Sequence, residues 1–196
     1  RSDSAARGMF DCAGIDAAIA TAERAELLAF SLISLAILPK EGLERLLAVA
    51  RAVRERGGIV AFDGNYRPHL WPSPQDAIAA RDAAIGIATI GLPTLEDEAA
   101  LSKATDAAEV AAHWQALGCQ ETVVKLGAEG CRLPDGSLVA PDAVLNPVDT
   151  SGAGDAFNGG YLAARLAGAP PAEAARQGHK TAAWTIMWRG AIPPPD

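Results

Sequence analysis

The feature of the sequence that most constrains the fold is a regular alternation of short apolar runs with longer amphipathic stretches. Apolar runs of strand length lie at residues 27–32, 59–62, 89–92 and 121–126. Patterns with helical spacing lie between them, at 39–57, 74–85, 95–102 and 106–117. Because consecutive parallel strands need a crossover, usually a helix, this order predicts a mostly parallel α/β sheet with helices on both faces.

The segments at the two ends of the chain complete this prediction. Residues 1–11 are polar and are expected to be irregular or to lie at an edge, and a short helix is expected at 16–26. Turn residues at 134–137 predict a hairpin, and two further helices are expected at 152–167 and 171–188. Because no internal repeat or linker interrupts the pattern, a single α/β domain is expected over residues 1–196.

Composition argues against several classes of protein. The formal net charge is −7, so the sequence indicates no basic surface for nucleic acid. No segment is apolar over a length that spans a membrane, and the first residues lack a secretory pattern. Cys12, Cys119 and Cys131 lie far apart and have no metal-ligand spacing. A cytoplasmic protein is therefore expected, with no nucleic-acid or membrane partner and no metal cluster made by its side chains.

A glycine-rich turn that opens a helix is the segment that points most clearly to chemistry. Gly152, Ala153 and Gly154 precede apolar residues at helical spacing, so they are placed at a helix N-terminus. Backbone N–H groups and the positive end of the helix dipole suit a phosphate at that place. Asp155 follows directly, where it could take a proton from an attacking hydroxyl. The alternative is a plain turn in which Asp155 only complements the dipole.

The wider stretch 149–155, D-T-S-G-A-G-D, resembles the C-terminal signature of the ribokinase-like (pfkB) carbohydrate kinases. The resemblance implies a three-layer, Rossmann-like α/β fold that uses ATP and Mg²⁺. It implies that Gly152, Ala153 and Gly154 form an anion hole for the transferred phosphoryl group. It also implies that Asp155 contacts the substrate hydroxyl as catalytic base. The first βαβ units and a β-sheet lid of that fold are expected to be missing, which makes this chain a C-terminal portion.

A second candidate segment follows the apolar run at 59–62. Residues 63–71, D-G-N-Y-R-P-H-L-W, resemble the D-x-N-x-R-x-x-L-W segment of the 2-keto-3-deoxygluconate kinases in the same family, with Gly64 where Pro is commoner. The resemblance implies that Asn65 lies near the phosphates of ATP and that Arg67 binds the substrate carboxylate. Arg1 similarly matches an arginine that contacts the substrate acid. The alternative for Arg67 is a loop arginine paired with a nearby acid.

Four further residues resemble nucleotide contacts of the same family. Lys125, Gly127 and Gly130 form a K-x-G-x-x-G loop after the last apolar run, which implies a lysine near the ATP phosphates. His179 lies where the family touches the nucleotide base, although a lone helical histidine is more often a packing residue. The magnesium-related N-x-x-E motif is only half present, because Leu95 replaces its asparagine and Glu98 keeps its glutamate.

The sequence is therefore interpreted as an ATP-dependent sugar-acid kinase that phosphorylates the terminal hydroxyl of 2-keto-3-deoxygluconate. Its expected partners are the small sugar acid, ATP and, as an option left open, a second copy of the chain in a homo-oligomer. One alternative is another kinase of the family, of fructokinase or ribokinase type. Another is a non-catalytic module that binds a nucleotide.

Overall fold

A computed structural model describes residues 5–143 and 145–193. The chain divides between Thr122 and Val123 into two compact units. The first unit contains a four-stranded parallel sheet and the second a three-stranded antiparallel sheet, and each is covered by helices.

The parallel sheet of the first unit contains the four strands that the alternation predicts. They are β1 (Leu27–Ser31), β2 (Ile59–Asp63), β3 (Ile90–Gly91) and β4 (Glu121–Thr122). Their order across the sheet is β1-β2-β3-β4, and every neighbouring pair is parallel. The expected parallel α/β sheet is thus confirmed, and the carboxyl ends of its strands lie at one edge, where open α/β sheets commonly bind ligands.

Six α-helices connect or flank these strands. Their bounds are α1 (Ile15–Ala22), α2 (Leu32–Ile37), α3 (Lys40–Glu55), α4 (Pro74–Ile85), α5 (Leu95–Ser102) and α6 (Ala107–Ala116). Short 3₁₀ turns add Ala5–Asp11 and Pro68–Leu70. The expectation of irregular or edge structure at 1–11 is wrong for its described part, which is helical and buries Phe10.

Helix α2 is the main element that the sequence pattern misses. The apolar run predicts a strand to residue 32, but the strand ends at Ser31 and a helix begins at Leu32. Ser31 caps this helix, since its side chain accepts from the amide of Ser34 and the Ser34 hydroxyl accepts from the amide of Ser31. A reciprocal cap of this kind stabilises a helix start within an apolar run.

Aromatic rings fill the core of the first unit beneath the ends of β2 and β3. Phe62 and Trp114 are fully buried, and their rings stack with centroids 5.6 Å apart. The Trp114 ring lies so close to Gly91 that a Cβ there would approach it to 2.5 Å. Helix α6 is therefore packed directly against the short strand β3, where any side chain larger than hydrogen would push the indole away.

The antiparallel sheet of the second unit begins within a stretch that the sequence predicts as one strand. Residues 121–126 instead form β4 and, after Val123, β5 (Val124–Lys125), which belong to different sheets. The strands β6 (Cys131–Arg132) and β7 (Leu138–Val139) complete the second sheet in the order β5-β6-β7. The hairpin turn expected at 134–137 is confirmed between β6 and β7.

Two long helices form the other layer of the second unit. They are α7 (Ala153–Leu166) and α8 (Pro171–Thr185), close to the expected bounds. The helices approach each other most closely at two glycines. A Cβ on Gly160 would lie 3.0 Å from the Cα of Gly178, and a Cβ on Gly178 would lie 2.9 Å from the carbonyl oxygen of Phe157. The Thr181 hydroxyl and the Phe157 ring, as well as backbone atoms, therefore occupy the space that a Cβ would need at this crossing.

Among the helices of the described ranges, none combines the length and the apolar composition needed to cross a lipid bilayer.

Candidate active site

The first turn of α7 leaves backbone amides open to a possible anion. Gly152 is the N-cap, with φ 76° and ψ 1°, and no side chain caps the helix. The amide of Ala153 donates to the carbonyl of Thr150 at 3.2 Å, so it is partly used. The amides of Gly154 and Asp155 lie in the first turn, where no intrahelical acceptor exists. These two amides and the helix dipole are features that suit an anion, and the binding of a phosphoryl group at this turn stays a prediction.

Gly152 is required at the cap by both its conformation and its surroundings. Its positive φ is unfavourable for a residue with a side chain. A Cβ there would also lie 2.9 Å from the carbonyl oxygen of Ala191. The turn is thus packed tightly against the segment that follows α8.

Lys125 places a positive charge beside this turn. Its side chain is buried, and its ammonium lies 3.7 Å from the position of a Cβ on Gly154. The ammonium donates to Oδ1 of Asn158, one turn further along α7, at 3.2 Å. A lysine held at a helix N-terminus adds a full charge to the partial charges of the amides, so the two features favour the same anion.

Asp155 lies at the third position of α7, in the same open turn, and is exposed. No hydrogen bond or ion pair of its carboxylate is found with any residue of the described ranges. The carboxylate is therefore open to solvent in the first turn, and its role as a catalytic base stays a prediction.

Asp149 ties the loop before α7 to the segment after α8. Its Oδ1 accepts from the amide of Ser151 at 2.9 Å, and its Oδ2 accepts from the amide of Gly190 at 2.9 Å. The amides of Val148 and Asp149 both donate to the carbonyl of Ile186, at 2.8 and 3.2 Å. The backbone hydrogen bonds from Ser151 and Gly190 lower the pKa of Asp149 to about 2.

Removing this tie is expected to misplace the anion turn. We expect Asp149→Ala to lower kcat by about tenfold or more, because small displacements of catalytic groups are costly. Asp149→Asn keeps one acceptor and should lose less. The exposed Asp142, replaced by Ala, is the control.

The pKa of Asp149 also predicts a pH dependence of stability. Because the pKa of Asp149 is lowered on folding, the stabilisation that Asp149 provides is present above pH 3.8 and is lost as the pH falls through about 2. A carboxyl NMR titration of Asp149 checks this direction.

The loop of Gly127 and Gly130 closes the hairpin between β5 and β6. Gly127–Glu129 form one 3₁₀ turn, and the amide of Leu126 donates to the carbonyl of Gly130 at 2.8 Å. A Cβ on Gly130 would collide with the carbonyl oxygen of Val139 on β7. The hairpin geometry by itself explains why glycines stand at these positions, and their contact with a nucleotide stays a prediction.

His179 on α8 packs within the second unit. Its Nε2 lies 2.9 Å from the carbonyl oxygen of Val139 and 3.7 Å from Sγ of Cys131. The Phe157 ring lies 5.0 Å from the imidazole, centroid to centroid. Burial lowers the pKa of His179, so the neutral ring is favoured. These contacts describe a packing residue, and a role at the nucleotide base stays a prediction.

The segment after β2 carries the residues expected to bind the substrate acid. Asn65 begins a tight turn, with its amide donating to Oδ1 of the buried Asp63 at 3.2 Å, while its own Oδ1 is buried without a hydrogen bond from the described residues. Arg67 is exposed, and its Nη1 donates to Oδ1 of Asp97 at 3.3 Å. The loop arginine paired with a nearby acid is therefore present, which leaves acid binding by Arg67 a prediction.

Glu98 takes part in a buried ionic network. Its Oε2 pairs with Nη1 of Arg81 at 2.8 Å, and both side chains are almost fully buried. Arg81 also contacts Oδ1 of Asp82 at 2.9 Å and Nε2 of His113 at 3.2 Å. Burial raises the pKa of Glu98 by more than the positive charge of Arg81 lowers it. The N-x-x-E glutamate is thus bound to an arginine in the protein.

Within the described residues, no three His, Cys, Asp or Glu side chains come together as a metal site. Arg1 lies outside those residues. Three side-chain oxygens in the first unit remain buried without a hydrogen bond from them, Oδ1 of Asn65, Oε1 of Glu98 and Oγ1 of Thr122. The amide oxygen of Asn65 and the carboxyl oxygen of Glu98 are donors of the kind Mg²⁺ prefers, and an ion that arrives with nucleotide phosphates needs only one or two protein ligands.

A parallel α/β unit and an open helix turn with a lysine and an acid are typical of α/β proteins that bind phosphate groups. The chain belongs to the pfkB family of carbohydrate kinases, since residues 10–196 match that family.

Several known proteins are similar to it. The 2-dehydro-3-deoxygluconokinase of Dickeya dadantii is 38% identical over 99% of this chain and 64% of its own length. The enzyme of the same name from Escherichia coli K12 is 42% identical over 83% of this chain and 54% of its own length. The chain therefore spans between about half and two thirds of the curated relatives it matches.

Solved structures are similar in fold. The PfkB protein of Polaromonas sp. JS666 superposes with a TM-score of 0.78 at 30% identity, over 90% of this chain and 58% of its own. Aminoimidazole riboside kinase from Salmonella enterica, in complex with aminoimidazole riboside and an ATP analogue, gives a TM-score of 0.76 at 29% identity, over 84% and 57%. The expected ribokinase-like fold class is confirmed.

Sequence reasoning missed two groups that position these residues. Asp149 and Asp97 each reach a partner distant in sequence, Gly190 and Arg67 respectively. Asp149 is the first residue of the D-T-S-G-A-G-D signature, and its place in that signature is the one sequence signal that it has a role near the turn. Nothing in the sequence around Asp97 distinguishes it from the other acids of the first turn of α5.

Proposed function

We propose that the protein to which this chain belongs is an ATP-dependent kinase that phosphorylates the terminal hydroxyl of 2-keto-3-deoxygluconate. The two compact units would act as parts of one kinase domain. The observation that carries the proposal is the open first turn of α7, with the buried Lys125 ammonium beside Gly154 and the exposed Asp155 carboxylate in the same turn. The names of the similar curated proteins support the choice of sugar acid.

Each proposed role follows from the chemistry of its group. The amides of Gly154 and Asp155, with Lys125, stabilise negative charge on the phosphoryl group as it transfers. The Asp155 carboxylate takes the proton from the substrate hydroxyl, which then attacks the γ-phosphate in line. When bound with ATP, Mg²⁺ would supply positive charge against the phosphates. Asn65, the loop of Gly127 and Gly130, and His179 are assigned to the nucleotide.

Arg67 and Arg1 select an acid over a neutral sugar. The planar guanidinium donates two parallel hydrogen bonds to a carboxylate, a contact that a neutral hydroxyl cannot reproduce. Discrimination of this kind can be large, since a neutral substrate would leave the charged donors unpaired.

A second candidate is a kinase of the same family that acts on a neutral sugar. The observation that favours it is the ion pair of Arg67 with Asp97, because the guanidinium already has a carboxylate partner. The similarity to aminoimidazole riboside kinase of Salmonella typhimurium, 35% identical over 66% of this chain, also fits such a substrate.

The experiment that tests the proposal is coupled ADP release by the intact gene product with MgATP. We expect turnover chiefly on 2-keto-3-deoxygluconate, in a panel that also contains gluconate, fructose and ribose. Turnover on fructose or ribose would support the kinase activity but contradict the proposal of an acid substrate. No ADP release with any of the four would count against the kinase assignment. A protein without Asp155, the Asp155→Asn variant, is the background control.

A further inference from the structure

The guanidinium of Arg67 is held along one side only. Its Nη1 donates to the carbonyl oxygen of Tyr66 at 2.7 Å and to Oδ1 of Asp97 at 3.3 Å. In the described ranges, its Nε and Nη2 have no recorded hydrogen-bond partner. The five N–H donors of arginine lie in one rigid plane. Fixing Nη1 against two acceptors therefore also sets the direction of the Nε–Nη2 edge.

The two acceptors are themselves well fixed. Tyr66 is buried, so its carbonyl oxygen belongs to a tightly packed stretch of backbone. Asp97 lies in the first turn of α5, where the helix dipole favours the ionised carboxylate. The Asp97 side chain is 21% exposed, against 44% for Arg67. Asp97 is thus the anchored member of the pair, and Arg67 is the member that reaches solvent.

We propose that Asp97 is a positioning residue for substrate selection. It holds Nη1 of Arg67 so that the Nε–Nη2 edge receives the substrate carboxylate through two parallel hydrogen bonds. Asp97 itself does not contact the substrate. This inference rests on the proposed function, because it requires an acid substrate at Arg67.

Asp97 also has an opposing effect, since its negative charge reduces the attraction of Arg67 for an anion. The exposure of the pair decides which effect is larger. Exposed ion pairs interact weakly in solvent, so removing Asp97 adds little electrostatic attraction. Without Asp97 the Nε–Nη2 edge of Arg67 is no longer fixed in direction. Both hydrogen bonds of a bidentate contact are then weakened, because they depend on geometry. We therefore expect removal of Asp97 to weaken binding of the acid.

The test compares steady-state kinetics of the intact gene product and its variants on 2-keto-3-deoxygluconate and MgATP. We expect Asp97→Ala to raise KM for the acid by about tenfold. The KM for ATP and kcat should stay at their wild-type values, because the positioned group binds only the acid. Asp97→Asn keeps an acceptor for Nη1 and should recover most of the loss. Glu96→Ala removes the same charge from the neighbouring, exposed position and should leave all three parameters unchanged.

A double variant separates positioning from general damage. In an Arg67→Ala background, Asp97→Ala should cause no further rise in KM for the acid, since there is no guanidinium to orient. An unchanged or lowered KM in Asp97→Ala, with a raised KM in Arg67→Ala, would overturn the positioning role and leave the proposed function intact. An unchanged KM in Arg67→Ala would overturn both. Equal melting temperatures of Asp97→Ala and wild type exclude a folding defect as the cause.

Discussion

Replacing Asp155 with asparagine is expected to lower kcat by about 100- to 10,000-fold, the usual contribution of a general base. Asparagine has nearly the same shape but cannot take the proton of the substrate hydroxyl. The amides of the turn and Lys125 are unchanged, so ATP should bind with nearly wild-type affinity. Coupled ADP release measures the first effect, and isothermal titration with a non-hydrolysable ATP analogue measures the second.

The chain offers a matched control for this substitution. Glu173 is an exposed acid at the third position of α8, as Asp155 is at the third position of α7. Glu173→Gln removes the same favourable interaction with a helix dipole, so its effect on stability should be similar and small. Its kcat should stay at the wild-type value. If Asp155→Asn and Glu173→Gln were equally active, Asp155 would only complement the dipole, and its role as base would be wrong.

Replacing Arg81 with methionine is expected to lower the free energy of unfolding by about 3–5 kcal/mol at neutral pH, the usual cost of breaking a buried ion pair. Methionine fills a similar length but leaves the carboxylate of Glu98 buried without its counter-charge. Urea unfolding followed by circular dichroism measures the loss. Replacing the exposed Arg51 of α3 with methionine is the control and should change stability little.

The same variant has a predicted pH dependence. Without Arg81, the pKa of Glu98 must rise further, because the one strong charge that lowers it is gone. A raised pKa in the folded state means that the deficit is complete above that pKa and shrinks as the pH falls towards the ordinary value of 4.5. The double variant Arg81→Met, Glu98→Gln should recover much of the stability at neutral pH. A deficit that is constant between pH 4.5 and 8 would contradict the buried charge as its cause.

The order of strands and helices could be predicted because each element has its own pattern. Helix α4 begins at Pro74, directly after its cap Ser73, and ends at Ile85, as its sequence signals indicate. The expected helix at 95–102 also has the observed bounds. Local signals of this kind, a cap and a periodic apolar face, act over a few residues and can be read from the sequence.

The departures came from contacts between distant parts of the chain. The run at 121–126 has the composition of one strand, but it divides because β4 pairs with β3 and β5 pairs with β6. Helix α2 replaced the end of an apolar run through a reciprocal cap at Ser31 and Ser34, which two serines alone do not indicate. Pattern shows that a residue is apolar, but only the fold determines which neighbour it meets.

The candidate site divides in the same way. The turn of Gly152 to Asp155 and the position of Lys125 after a strand were recognisable, since their spacing follows from a helix start and a strand end. The partners that hold site residues in place could not be recognised from the sequence. Arg81 lies within the helix predicted at 74–85, and nothing in the sequence indicates that the structure buries it against Glu98. An ion pair between two helices leaves no trace in the periodicity of either one.

The close crossing of α7 and α8 has a consequence for how the protein tolerates change. Side chains at most helix contacts absorb a neighbour's shift by changing rotamer, but Gly160 and Gly178 have no side chain with which to do so. At this crossing α8 lies directly on α7, and Asp155 is five residues from Gly160, about 7.5 Å along the helix axis at about 1.5 Å per residue. Substitutions at the crossing are therefore expected to shift α7 and the carboxylate of Asp155, and to lower turnover before they lower the free energy of unfolding.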